Sequence, residues 1–140
     1  MKRRSLLCTT LLLLASTVSA AEDDRDWVKL PEMMQAHMLT NMRGHLETIN
    51  LLLQQLAAGQ LDRAADTAEQ RLGMSSLETH GASHLAQFMP EPMRAIGTRM
   101  HHAASRFALK AQEGEVLPAY NALQEVTAAC VACHAAYRIR

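Results

Sequence analysis

Near its C-terminus the sequence reads Cys130-Val131-Ala132-Cys133-His134, the C-x-x-C-H pattern by which c-type haem is attached. On a helix, positions i, i+3 and i+4 share one face, so Cys130, Cys133 and His134 project the same way. Two thiols at that separation can each add to a vinyl group on one edge of a porphyrin, and the adjacent imidazole can reach the iron. Covalent attachment prevents loss of the cofactor, and the imidazole sets the proximal field. Three other chemistries fit the residues less well. A disulfide closing so small a loop inside a helix would constrain little. A thioredoxin-like pair is expected at a helix start after a strand, and the sequence offers no strand. A zinc site would want a second cysteine pair, which the chain lacks.

The elements that must position these residues follow from length and composition. The chain has 140 residues, 49% of them apolar and 4% aromatic, with 14 basic and 14 acidic groups. That length suits one domain. Zero formal charge gives no basic surplus for a nucleic-acid partner. Four prolines, six glycines and few β-branched or aromatic residues point to an all-α fold. The first twenty residues have the layout of a secretory signal peptide: basic Lys2-Arg3-Arg4, an apolar run to Ala15, then Val18-Ser19-Ala20 as cleavage site. The run is too short for a membrane span, which needs about 20 residues. Leu7 precedes Cys8 where a lipoprotein signal needs a small residue, so Cys8 is read as discarded with the leader. The expected product is residues 21–140, exported to the periplasm, with 11 basic against 14 acidic groups.

Punctuation divides this domain into four helices, an antiparallel bundle. Pro31, Pro90, Pro92 and Pro118 mark helix starts, where a missing N–H costs nothing. Gly59, Gly73 and Gly114 stand where apolar periodicity stops, the usual place for a left-handed cap. The spacing predicts helices over Pro31–Ala58, Gln60–Leu72, Glu91–Gln112 and Glu115–Tyr137. The first carries a stripe of Met34, Met38, Met42, His45, Ile49, Leu52 and Leu56. Short connections make the first and second pairs antiparallel, and Gly73 to Pro90 is a loop or crossover. Gly44 and Gly97 fall inside helices, at about 1 kcal/mol each relative to Ala. Either close approach of a flat ligand or plain helix packing would account for them.

A leader, a short four-helix bundle and a haem motif close to the C-terminus resemble the class II cytochromes c. These include cytochrome c prime and its low-spin, methionine-ligated relatives. The most specific likeness is Cys130-Val131-Ala132-Cys133-His134-Ala135-Ala136-Tyr137-Arg138, similar to the family's C-x-x-C-H-x-x-[YF]-R ending. The resemblance implies one covalent haem c, with His134 as proximal iron ligand and Arg138 near the haem. It also implies that the first helix covers the opposite iron face. An apolar residue there leaves the iron open to small gases, whereas methionine makes a six-coordinate electron carrier. Met38, Asn41 and Arg43 match the spacing of the low-spin relatives, which makes Met38 the distal candidate and Met42, one turn along, the reserve.

Ordinary core packing is the plain alternative for a methionine stripe, since Met fills irregular space well. His37 and His45 on the first helix leave bis-imidazole ligation open. His101 and His102, and His80 with His84 in the loop, are read as solvated. Metal binding by His80 and His84 would need a helical stretch, which Gly81 disfavours. Neither a Ser-His-Asp pattern nor a carboxylate pair supports hydrolysis, so the chain is read as a non-enzyme. The expected partners are periplasmic redox proteins with basic or mixed surfaces, with a homodimer left open; no nucleic acid and no stable membrane insertion are expected.

Overall fold

The computed structural model describes residues 22–140. The leader, with Cys8 and its cleavage after Ala20, lies outside the described residues. What is described is all-α but for one two-residue strand pair. The order is β1 (Asp26–Trp27), α1 (Glu32–Ala57), α2 (Leu61–Arg71), a 3-10 turn (Met74–Ser76), α3 (Ala82–Ala86), α4 (Glu91–Gln112), α5 (Val116–Ala136) and β2 (Tyr137–Arg138). The four long helices fall within a residue or so of the ranges that proline, glycine and apolar spacing predict.

Local chemistry explains their ends. Pro31 and Pro90 stand as N-caps of α1 and α4, and Pro92 and Pro118 lie in first turns where no N–H is needed. Gly59 and Gly114 leave their helices at φ +69° and +83°, the left-handed geometry that glycine alone adopts freely. Gly73 does not. Its φ is −71° with an extended ψ, and the pressure there is for space, since a Cβ would collide with the Glu69 side chain and backbone. The loop after it is partly ordered into the 3-10 turn and α3, with Gly81 in the left-handed conformation between them.

Packing separates two apolar clusters. The larger joins α1, α2, α4 and α5 through Leu52, Leu56, Ala68, Leu72, Ala104, Phe107 and Val126, with Phe107 and Leu52 fully buried. Burying such side chains contributes roughly 1.5–3 kcal/mol each. The smaller cluster gathers Val28, Leu30, Met38, Leu85 and Met93, with Met34, Met42, Met89, Cys133, Tyr137 and Ile139 against it. α4 packs on α5 and α2, and α2 on α1, whereas α1 makes few close backbone approaches to α4 or α5.

The strand pair corrects the expectation of no strand and of a last helix reaching Tyr137. The chain turns extended at Tyr137 (φ −130°, ψ 148°) and Tyr137–Arg138 pairs in parallel with Asp26–Trp27. The Val28 N–H donates to the Arg138 carbonyl at 2.8 Å, and the Gln35 side-chain amide donates to the Ile139 carbonyl. A thioredoxin arrangement is still not met, because Cys130 and Cys133 lie near a helix end that precedes the strand. Among the described residues no helix is long and apolar enough to cross a membrane.

Candidate functional site

Cys130, Cys133 and His134 lie in the last two turns of α5, at the junction of the two clusters. Cys130 packs against the larger and Cys133 against the smaller. Both are free thiols, and the Cys130 thiol donates to the Val126 carbonyl at 3.3 Å. Burial pushes both thiols up from the ordinary range, and Cys130 pushes Cys133 further. At neutral pH both are therefore protonated. That is the form of an inert structural thiol unless a reaction partner is brought to it. The His134 ring is exposed, and its carbonyl accepts a bond from Arg25 at 3.3 Å.

A cavity of about 430 Å³ opens where α1 stands away from α4 and α5. Its lining includes Cys133 and His134 on one element and Met38, Leu39, Asn41, Met42 and His45 on another. Leu85, Met89, Met93, Gly97 and Met100 complete an apolar wall, and Arg25, Arg138 and Arg140 supply cationic groups. Such a cavity is of the size that holds an organic cofactor, about 300–1,000 Å³. The stripe predicted on the first helix thus reaches the same cavity as the C-x-x-C-H motif. Met38 is only 7% exposed, whereas Met42 is half-buried against the same cluster.

Three observations favour a haem here. Buried Arg138 Nε has no hydrogen-bond partner; the Asp23 carboxylate lies 3.5 Å away without making a hydrogen bond, and Asp23 is committed to Arg25 at 2.7 Å. A buried N–H left so is costly unless an acceptor completes it, and a cofactor carboxylate would be one. Gly97 lines the cavity, and nothing lies within 4 Å of where its Cβ would be, so helix packing does not require this glycine. The donor set of two thiols and an imidazole is that of a c-type attachment.

The polar wall was not legible in full. Asn41 donates to the His80 carbonyl at 2.9 Å and the His37 ring N–H to the same oxygen at 2.8 Å, so α1 grips the turn after the 3-10 segment. Neither His80 nor His101 is solvated as expected. His80 is half-buried and His101 is 8% exposed, with its Nδ1–H donating to the Leu72 carbonyl at 2.7 Å. His102 and His84 are exposed as predicted. A signal for His101 existed in its spacing of three and seven to buried Ala104 and Ala108. His80 had none, because the turn carries no period.

His45, His80 and His101 meet, with ring centroids 4.7, 5.5 and 6.1 Å apart. Burial and the neighbouring imidazoles lower His45 to about 4. Burial also lowers His80 and His101 from the ordinary imidazole value. These rings stay neutral in the fold at pH values where the unfolded chain takes up protons. Stability is therefore full above about pH 6.5 and falls as pH drops toward 4, with His45 alone accounting for roughly 3 kcal/mol. Thermal melts across that range are expected to show the loss, and His45→Gln to make it shallower. A melting temperature flat from pH 7 to 4.5 would contradict this. No protein-family model, curated protein or solved structure matches the chain.

Proposed function

We propose that the chain is an exported, monohaem c-type cytochrome that carries single electrons between periplasmic redox partners, on an antiparallel four-helix bundle. The observation that supports it is the shared cavity, onto which Cys133 and His134 of the C-x-x-C-H motif and Met38 and Met42 of α1 all open. A bound haem would supply a one-electron iron couple. Cys130 and Cys133 would hold its edge, His134 would ligate the iron, and Met38 would cap the other face. A thioether favours reduced iron, so a His/Met pair raises the potential relative to two imidazoles. The apolar wall of Met89, Met93 and Met100 would limit water at a bound ring. Arg138, with Arg25 and Arg140 on the same lining, would neutralise cofactor carboxylates.

Cells competent in c-haem maturation should yield a protein whose mass equals residues 21–140 plus one haem. Exported protein of that length without haem would overturn the proposal. Gly97→Phe is expected to fill the ring's space and lower haem content per chain severalfold. Gly44→Ala serves as the control. Its Cβ also meets nothing within 4 Å, so it should raise helix stability by about 1 kcal/mol and leave haem content unchanged. Equal haem content in both variants would show that Gly97 does not face the cofactor.

A further inference from the structure

We propose that His45, His80 and His101, which line one end of the same cavity, form a site for a divalent transition ion, Zn²⁺ or Cu²⁺, that uses none of the residues assigned to attach haem or ligate its iron. Three imidazoles on one tetrahedral ion, with metal–nitrogen bonds of 2.0–2.1 Å, place their ring centroids about 5 Å apart. The observed separations of 4.7, 5.5 and 6.1 Å bracket that value. His45 Nε2 and His80 Nδ1 face one another at 3.5 Å, close to the roughly 3.3 Å between two nitrogens on such an ion. As a hydrogen bond this contact is at its outer limit, and it leaves room for an ion between the rings.

The surroundings fit the same chemistry. A carbonyl only accepts, so the His101 Nδ1 bonded to Leu72 carries the proton and Nε2 keeps its lone pair. An N–H···O=C bond of this kind is how metal-ligating histidines are usually oriented. The Ser76 hydroxyl donates to the Gly73 carbonyl at 2.7 Å and lies 3.3 Å from His80 Nδ1 and 3.5 Å from His101 Nδ1. His37 and Asn41 fix the backbone that carries His80. Lowered by burial, the rings are already in the neutral form that binds metal at pH 7. Imidazole suits both ions, and copper binds more tightly in the general order for divalent metals. Among the described residues no three His, Cys, Asp or Glu side chains already converge on one point. The proposed site therefore requires the His45 and His80 rings to turn toward the ion while His101 stays held by the Leu72 carbonyl.

Untagged, full-length protein as purified is titrated with Zn²⁺ by calorimetry and with Cu²⁺ by electron paramagnetic resonance. One Zn²⁺ per chain is expected, and the copper spectrum should show nitrogen coupling from imidazoles. His45→Gln and His80→Gln should each weaken Zn²⁺ affinity at least tenfold, while His84→Gln and His102→Gln leave it unchanged. Melting curves establish that each variant folds; should His101→Gln fail to fold, the first two decide. The proposal is overturned by absence of stoichiometric binding, by full affinity in His80→Gln, or by loss confined to His84 or His102 variants. A wild-type iron ligated by two imidazoles, one of them lost in His45→Gln, His80→Gln or His101→Gln, would also overturn it, since that ring would then be serving the iron. Binding without any attached haem would instead count against the cytochrome reading alone.

Discussion

Cys130→Ala with Cys133→Ala is expected to turn complete retention of haem in acid-acetone into complete loss, each single substitution giving weakened retention. A thioether survives denaturation, whereas ligation by His134 does not. The substituted positions are half-buried and face different clusters, so alanine removes little packing from either. The loss is then one of attachment and not of fold. Helical content should persist in the double variant, with the melting temperature lowered by whatever stabilisation the bound cofactor gives the native state. Wild-type protein that releases all its haem after proper maturation would contradict the attachment.

Met38→Ala is expected to have the next largest effect. Ferric wild-type protein should show the weak far-red band of sulfur-to-iron charge transfer, and its ferrous form should bind carbon monoxide slowly. The substitution should abolish the band, leave high-spin iron and open the gas site. It should also cost about 2–5 kcal/mol, the usual range for truncating a buried Met to Ala, because Met38 is 7% exposed within the smaller cluster. Met42→Ala should keep the band, since residues one turn apart cannot both centre on one iron. Loss of the band in Met42→Ala alone would move the ligand by a turn and leave the electron carrier standing. A wild type that is already high-spin and binds carbon monoxide readily would favour gas binding, with the methionines as core.

The long helices were legible because each is amphipathic over several turns and bounded by proline or glycine. The stripe from Met34 to Leu56 served both clusters, and its period showed which residues turn inward without showing that α1 makes few close backbone approaches to α4. That separation depends on what fills the interhelical space, which one helix's pattern does not encode. The ends of the domain were misread for a different reason. Val28-Lys29-Leu30 alternates buried and exposed, the period of a strand, but over too few residues to stand out. Tyr137 follows an unbroken helical run, and it is held extended by pairing with Asp26 and packing on the smaller cluster. His80 owes its place to two bonds on its own carbonyl, contacts that depend on backbone position and leave no trace in residue type.

The parallel pair of Asp26–Trp27 with Tyr137–Arg138 also governs the order in which the molecule can be assembled. It closes a loop of about 110 residues, the longest closure the fold demands and the most costly in chain entropy. Its second partner follows every described helix in chain order, so the helices can dock before the two strands are joined. Throughout that interval the wall formed by Arg138, Ile139 and Arg140 is missing, and Cys133 and His134 are open from that side. The same geometry sets where the protein can be extended. A fusion or label attached at Arg140 sits on the cavity lining itself, whereas one at the Gly114 turn lies outside that lining and leaves the clasp untouched.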